Sequence, residues 1–483
     1  MGNKPTETLK ERTARGLFWS ALNNGAMQLL NIVIGVFLAR LLSASDYGLV
    51  GMLAVFTALA GALQESGFTS ALTNLKRPTS NDYNAVFWFS VLVSCVSYGL
   101  LFFSAPLIAG FFQHPELTQL SRFLFISLFF SAIGTAPNAY VFKNMIVKEV
   151  TILRVSSLCF SGIVGVVLAL KGYAYWSLAW QQVTFIAVMN VGRFFLIDWR
   201  PTLHIDFRPI RRMFAFSYKI LLTTIVNVFS QNILTFIFAR LYPVATVGNF
   251  TQAFKWQTMA SGLVTGTISQ VAQPILVEVN NDRERQVSVF RKLLRFTSFL
   301  AFPAMFALAM VSHEFIVILL SEKWLDSIPM LRLLAIGGAF LPFYTIYQNL
   351  IISRGKSAIY LWCTLCLIAL QVLSILVFHA EGMLFIVRIY TFLVISWLLV
   401  WQYFAWRAIG VKLHHVLKDV FPYLLLSTLV MFGVYWVTQS IENLLLLLFV
   451  RLSLAFTLYL VLLRLMGAKM LNECLGYLKK KRK

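Results

Sequence analysis

The chain has 483 residues, of which 59% are hydrophobic, 15% aromatic and only 12% charged. Soluble domains carry about a quarter charged residues, so this composition and the mean hydropathy of +0.76 exclude a water-soluble globular protein. They equally exclude a disordered, collagen-like or coiled-coil chain. The formal net charge of +22 can indicate nucleic-acid binding, but the placement of the charges favours another explanation.

Fourteen apolar segments, each long enough to cross about 30 Å of hydrocarbon, follow one another along the chain. Their length and density favour membrane helices over a β-barrel, whose strands are shorter and alternate. Because no small-residue cleavage site follows the first segment, we expect that segment to remain in the protein. The predicted spans are 16–41, 46–72, 83–110, 117–140, 150–170, 174–197, 214–241, 246–276, 291–320, 328–352, 357–380, 382–406, 417–439 and 442–466.

The basic residues alternate from one connection to the next. Connections that follow an even-numbered span carry Lys and Arg repeatedly, as at Lys76, Arg77, Lys143 and Lys148, whereas the others carry almost none. The positive-inside rule therefore predicts that both termini and all basic connections are cytoplasmic. The net charge is then explained by topology and by contact with anionic membrane lipids, without nucleic acid as a partner.

Two stretches match at an offset of 200 residues. Arg40 and Gly48 at the first and second spans align with Arg240 and Gly248 at the seventh and eighth. Parallel repeats of six helices predict two pseudo-symmetric lobes around a central cavity, although chance similarity of apolar helices is the alternative. The expected organisation is an N-lobe over 1–197, a cytoplasmic linker over 198–213, a C-lobe over 214–406, two further helices over 407–466 and a basic cytoplasmic tail over 467–483.

Amide and cationic side chains recur inside the spans. In the first span they are spaced to share one face of a helix, and the seventh and eighth spans carry similar sets. Such residues either hydrogen-bond neighbouring helices or line a hydrated cavity, and we expect the cavity. The candidate substrate-binding residues are Asn24, Gln28, Asn31, Arg40, Glu65, Lys219, Asn227, Gln231, Arg240, Gln252, Lys255 and Gln257.

Cations inside a membrane indicate what the cavity binds. A Lys or Arg near mid-membrane costs about 2.5–3.5 kcal/mol, so Lys255 above all is expected to face water or a ligand. Arg388 and Arg451 are further candidates, whereas Glu65 is the one acid clearly inside a predicted span. Cations and amides without carboxylates suit an anionic, hydroxyl-rich solute and argue against a pump for cationic drugs. No P-loop, catalytic constellation, metal site or cofactor motif is found, so neither an enzyme nor a cofactor is expected.

A set of short segments extends this interpretation. The chain resembles the Wzx-like polysaccharide flippases of the MOP exporter superfamily, within the colanic acid exporter-like group. The segments that carry the resemblance are 16–19 (GLFW), 39–43 (ARLLS), 46–52 (DYGLVGM), 82–88 (DYNAVFW), 105–108 (APLI), 137–138 (PN) and 172–178 (GYAYWSL).

The resemblance implies a flippase in the bacterial inner membrane. Its expected substrate is an undecaprenyl-pyrophosphate-linked oligosaccharide repeat unit for O-antigen, capsule or exopolysaccharide synthesis, moved to the periplasmic leaflet by alternating access. Polysaccharide polymerase machinery is a possible partner. The alternatives are a drug or metabolite exporter of the same superfamily and a membrane glycan ligase or polymerase. The last needs a large periplasmic loop, and no predicted periplasmic connection exceeds about ten residues.

Overall fold

The computed structural model describes residues 9–65, 67–467 and 470–471, and their side chains over 25–63, 67–214, 216–218, 220–270, 272–467 and 470–471. Within these residues the chain forms helices and no strand, which confirms the predicted all-helical membrane fold. The chain divides into two compact units, Met1–Gly248 and Asn249–Lys483.

The first unit contains nine helices and the start of a tenth among its described residues. The seventh helix packs against the first and the eighth, and the sixth packs against the fourth and the eighth. They are α1 (Leu9–Leu41), α2 (Ala44–Glu65), α3 (Phe68–Asn74), α4 (Ser80–Phe112), α5 (Glu116–Phe125), α6 (Ser127–Lys143), α7 (Val147–Leu170), α8 (Tyr175–Phe194), α9 (Arg208–Leu241) and α10 (Val244–Glu278).

The second unit continues from α10. Its centre is α11, which packs against α13 and α18, and α19 packs against α18 in turn. The helices are α11 (Arg283–Met310), α12 (Ser312–Leu319), α13 (Ser327–Gly338), α14 (Leu341–Ser353), α15 (Ser357–Phe378), α16 (Met383–Ser396), α17 (Leu398–Ile409), α18 (Leu413–Val437) and α19 (Leu444–Leu465).

Each predicted span overlaps one of these helices or two consecutive ones. Among the described residues, 11 helices or helix pairs are long and apolar enough to cross a membrane, so the chain is a multi-pass membrane protein. The count of fourteen crossings stays a prediction. The three predicted spans that are not among these helices correspond to α1, α8 and α10. The described side chains of α1 form only a shorter apolar helix, Gly25–Leu41, and amide and charged side chains lower the hydropathy of α8 and α10.

Several predicted spans are broken where the sequence shows little sign of it. The second span is interrupted at Gly67, whose φ of 69° lies in the left-handed region that glycine adopts without strain. A Cβ on Gly67 would lie 2.6 Å from the carbonyl oxygen of Ser217 on α9. The break therefore lets α3 turn aside while the backbone of α9 approaches closely.

The connection between α8 and α9 is bound to the start of α4. Asn84 donates from Nδ2 to the carbonyl of His204 at 2.5 Å and accepts at Oδ1 from the Thr202 N–H at 2.9 Å. Trp88 Nε1 donates to the Thr202 carbonyl at 2.7 Å. These bonds give residues 82–88 a structural function. Helix α9 begins at Arg208, inside the predicted linker, whose role as a boundary between lobes stays a prediction.

The same connection holds a carboxylate at its exposed end. The backbone N–H of Arg208 donates to Asp206 at 2.9 Å and the Asn81 amide donates at 3.2 Å. These hydrogen bonds hold the pKa of Asp206 below its ordinary value, because they favour the ionised form. Asp206 is therefore an anion at neutral pH within an otherwise basic connection.

Gly48 and Gly248, which carry the 200-residue repeat, pack reciprocally. A Cβ on Gly48 would lie 2.2 Å from the carbonyl oxygen of Val244, and one on Gly248 would lie 1.8 Å from that of Ala44. Ala44 and Val244 are themselves 200 residues apart. Repeat-related segments thus make a contact that is equivalent from both sides, and only glycine fits because the opposing atoms are backbone.

We expect Gly48→Ala and Gly248→Ala each to lower the thermal stability of the detergent-purified protein. Overpacking of this kind costs about 1–3 kcal/mol, and tryptophan fluorescence during heating measures the effect. Gly99→Ala is the control, because a Cβ there meets no atom within 4 Å. Equal unfolding temperatures for all three variants would contradict the close packing.

Candidate functional site

The first unit encloses a cavity of about 600 Å³ between six of its helices and the short α3. Small side chains of α2 and α6 leave the space, and longer side chains of α7 and α8 project into it. The described lining residues are Met27, Ala58, Gly61, Ala62, Thr69, Ser131, Gly134, Thr135, Asn138, Arg154, Phe185, Ile186, Met189, Asn190, Arg193, Thr224 and Val228.

Two arginines give this cavity a positive charge. Arg154 lies in the second turn of α7 and Arg193 in the last turn of α8, and both are half-buried. Arg154 makes no hydrogen bond or ion pair with the described part of the chain. A guanidinium has five N–H donors in a fixed fork that matches phosphate geometry, so the cavity suits a phosphate or pyrophosphate group.

Arg193 is held in position by its own helix and by α6. Its Nη1 donates to Asn190 Oδ1 at 2.7 Å, and Asn190 Nδ2 donates to the Ile186 carbonyl at 2.8 Å. A Cβ on Gly134 of α6 would lie 1.8 Å from Asn190 Oδ1. Glycine at this position therefore lets the amide sit between the two helices and orient the guanidinium.

The rest of the polar lining consists of hydroxyl and amide groups. Thr69 Oγ1 is buried and has no hydrogen-bond partner among the described residues, and Ser131, Thr135, Asn138 and Thr224 add further groups. None of the described lining residues is Asp or Glu. The cavity thus combines cations with donors and acceptors for hydroxyls, which is the chemistry of an anionic, sugar-bearing solute.

Depth along the helices places the cavity near one side of the membrane. Arg154 lies about 10 Å along the axis from the start of α7, close to the basic connection that holds Lys143 and Lys148. Arg193 ends α8 just before the next basic connection. The charge distribution predicts that both connections are cytoplasmic, and the same prediction assigns the cavity to the cytoplasmic half of this unit.

The predicted ligands on α1 and α9 have mixed environments. Gln28, Asn31 and Asn227 are half-buried, and Gln231 is exposed. None of the four lines the cavity, although Met27 on α1 and Thr224 and Val228 on α9 do. Their helices thus reach the site, but their role as ligands for sugar hydroxyls stays a prediction.

The predicted ligands on α10 are the most buried. Gln252 is 0% exposed, and neither its Nε2 nor its Oε1 has a hydrogen-bond partner among the described residues. Gln257 is also buried and donates to Ser261 Oγ at 3.1 Å. Lys255 is half-buried, with Nζ 5.9 Å from the ring centroid of Trp256. The binding role expected of these three side chains therefore also stays a prediction.

The remaining predicted ligands either lie outside the described residues or do not line the cavity, and their role stays a prediction. The side chains of Asn24, Glu65 and Lys219 lie outside the described residues. Arg40 and Arg240 end α1 and α9 and are exposed, and the Arg240 guanidinium lies 5.6 Å from the ring centroid of Phe111. Neither arginine lines the cavity.

Two acids that the sequence places at span ends are buried in ion pairs of the second unit. Glu314 Oε1 accepts from Arg451 Nη1 at 2.7 Å, and both side chains are 4% exposed. Asp419 accepts from Arg291 Nε at 2.6 Å and from Arg295 Nη1 at 3.1 Å. Arg451 is therefore held by a carboxylate, which removes it as a substrate ligand. Among the described residues no three His, Cys, Asp or Glu form a metal-binding group.

Sequence analysis missed the residues that define the cavity. The candidate residues of the sequence include neither Arg154 nor Arg193, although both fall inside predicted spans. The spacing of Asn190 and Arg193 by three residues places them on one helix face, which was an available signal. The close approach of Gly134 to Asn190 depends on tertiary structure and cannot be recognised from the sequence.

Solved structures with the same fold are transporters. The chain superposes on the lipid II flippase MurJ in an inward closed conformation with a TM-score of 0.76 and 14% identity, covering 93% of this chain and 99% of that one. An inward-facing multidrug resistance transporter of the MATE family of the MOP superfamily gives a TM-score of 0.61 and 15% identity, covering 85% and 96%. The chain therefore shares its fold with these two transport proteins.

Sequence comparison identifies the family. Residues 37–329 match the polysaccharide biosynthesis protein family, and the chain belongs to it. It is 25% identical to the lipopolysaccharide biosynthesis protein WzxC of Escherichia coli strain K12 over 338 residues, which is 68% of each chain. The resemblance to Wzx-like polysaccharide flippases of the MOP superfamily is thereby confirmed.

We expect inorganic pyrophosphate to bind the purified protein and raise its unfolding temperature. Arg154→Gln and Arg193→Gln should each weaken the apparent affinity about tenfold or more, because a hydrogen bond to a charged group contributes about 1.5–3 kcal/mol. Arg388, a further candidate of the sequence analysis, is exposed and lines neither described cavity, so Arg388→Gln should leave binding unchanged. Equal losses in all three variants would mean that pyrophosphate senses only net charge.

Proposed function

We propose that the protein is a flippase for undecaprenyl-pyrophosphate-linked oligosaccharide repeat units. It moves them from the cytoplasmic to the periplasmic leaflet of the bacterial inner membrane, for the synthesis of a surface polysaccharide. The observation that carries this proposal is the cavity of the first unit. Its described lining contains Arg154, Arg193 and several hydroxyl and amide groups, and it contains no Asp or Glu.

Physical chemistry defines what such a protein must supply. A pyrophosphate with its attached sugars faces a large desolvation cost in hydrocarbon unless other donors and acceptors replace its water. Arg154 and Arg193 would bind the phosphates, and Asn138, Asn190 and Thr69 would bind neighbouring hydroxyls. The polyprenyl tail needs no such replacement and remains in the lipid, so the protein handles the headgroup alone.

Helix α10 of the second unit carries a further set of exposed polar groups. Ser269, Gln270 and Gln273 are exposed on the same helix as the exposed Gly262 and Gly266, and α10 coincides with the eighth predicted span. Exposed amides on a spanning helix are favourable where they face water. This supports alternating access, in which the headgroup meets protein donors throughout its passage.

The topology of the proposal follows from the charge bias. Both termini are cytoplasmic, and the cavity accepts substrate on the side where lipid-linked repeat units would be assembled. Glycosyltransferases that build the unit and a polymerase that consumes it are the implied partners. The protein itself performs transport and no covalent chemistry.

A drug or metabolite exporter is the second candidate, because the MATE transporter shares the fold. Export of cationic drugs requires membrane carboxylates that are free to bind them. The buried acids Glu314 and Asp419 are already paired with arginines. This arrangement favours the flippase over a pump for cations.

A strain that lacks the gene tests the proposal. We expect it to accumulate lipid-linked repeat units on the cytoplasmic face, to lose surface polysaccharide and to keep its resistance to cationic drugs. The wild-type gene should restore the polysaccharide, whereas Arg154→Gln combined with Arg193→Gln should not. Lys255→Ala is likewise expected to fail at normal protein levels, as its predicted role requires.

Arg388→Gln is the matched control and should restore the polysaccharide fully. Protein levels in the membrane must be equal for all variants, so that loss of transport is separated from loss of protein. Full restoration by the double arginine variant would refute the role of the cavity. Increased drug sensitivity without accumulated lipid-linked units would favour the exporter instead.

A further inference from the structure

A second cavity lies in the second unit, between α11, α13 and α18. Its volume is about 390 Å³, and it opens along the outside of these helices, where Phe432 is 69% exposed. Ile336, Met310 and Met431 form other parts of its apolar wall. We refer to it as the Arg332 groove, because Arg332 is the one charged side chain among its described lining residues.

Arg332 is oriented at one end of this groove. Its Nε donates to Ser312 Oγ at 2.9 Å, which fixes the plane of the guanidinium. No carboxylate of the described residues lies within 4.0 Å of Arg332. The arginine is exposed, and its terminal nitrogens remain available to a ligand.

The ion-paired arginines of this unit show what Arg332 lacks. Arg451 has Glu314, and Arg291 and Arg295 share Asp419. An unpaired cation within a membrane-spanning helix is costly, and such residues face water, a partner or a ligand. In an apolar groove on the outside of the helices, an anion supplied by the surroundings completes the pair.

The groove changes from polar to apolar along the helices. Arg332 is the sixth residue of α13, about 8 Å along the axis from its start, and Ser312 begins α12 immediately after α11 ends. Along α13, Ile336 lies about one turn farther from that start than Arg332 and is apolar. An anion is therefore matched at the level of the lipid headgroups and a hydrocarbon chain below it.

We propose that the Arg332 groove binds an anionic phospholipid. The phosphate accepts hydrogen bonds from the Arg332 guanidinium, and one acyl chain lies between α11, α13 and α18. In the topology deduced from the charges, α13 begins on the periplasmic side, so the lipid belongs to the outer leaflet. This site is separate from the substrate cavity and does not depend on what the protein transports.

Native mass spectrometry of the delipidated protein with added phosphatidylglycerol or phosphatidylcholine tests the proposal. We expect wild type to retain phosphatidylglycerol preferentially and Arg332→Gln to reduce that retention about tenfold, the scale of one hydrogen bond to a charged group. Arg388→Gln is the matched control, since Arg388 is also exposed and is the sixth residue of α16. It should retain phosphatidylglycerol like wild type.

Two further measurements distinguish a bound phospholipid from a free anion at Arg332. Ala309→Phe fills the apolar part while leaving Arg332 in place, and should also reduce retention of phosphatidylglycerol. Soluble glycerol phosphate should compete poorly, because it lacks the acyl chain. Competition as strong as that of the lipid would show a site for a free anion and overturn the proposal.

Equal retention by Arg332→Gln and Arg388→Gln would overturn it as well. Arg332→Lys covers the case in which the glutamine variant does not fold, because it keeps the charge and loses the planar fork. Its retention should fall between those of wild type and Ala309→Phe. Retention by Ala309→Phe equal to that of wild type would contradict the groove as the acyl-chain site.

Discussion

A cation inside an apolar helix must be compensated, and this constraint organises the whole molecule. Where compensation comes from a carboxylate of the chain, as for Arg451 with Glu314 and for Arg291 with Asp419, the pair joins helices and is closed to ligands. Leaving such a charge unpaired costs several kcal/mol. Where the lining holds no described acid, as around Arg154, the same constraint calls for an anion from outside. Structural cations and ligand-binding cations are thus separated by their partners.

Hydropathy predicted the fold well because hydrocarbon allows few alternatives. Each apolar segment had to satisfy its own backbone, which only a helix or a closed barrel can do, and every predicted span overlaps a helix. The breaks were less predictable. Gly67 interrupts a span because the backbone of Ser217 approaches it, and Asn84 and Trp88 bind a connection more than 110 residues away. Contacts of that kind are properties of the packed chain.

The sequence predicts the chemistry of the site better than it predicts the residues that form the site. The scarcity of acids and the surplus of cations and amides indicated an anionic, hydroxyl-rich solute, and the cavity has that composition. The residues singled out were polar groups in the middle of helices, such as Gln252 and Lys255. Arg154 and Arg193 were missed because they lie near helix ends, where the positive-inside rule already accounts for basic residues. The packed structure places Arg193 at the cavity, next to the Asn190 amide for which Gly134 leaves room.

Cysteine labelling at Asn138 tests most directly whether this cavity is hydrated and open to the cytoplasm. In a variant without its native cysteines, Asn138→Cys should react with a membrane-impermeant thiol reagent in inside-out vesicles. It should react far more slowly in intact cells, and pyrophosphate should protect it. Phe103→Cys, at a position 79% exposed on an apolar helix, is the lipid-facing control. Reaction of Asn138→Cys no faster than Phe103→Cys would show a dry cavity and contradict the account.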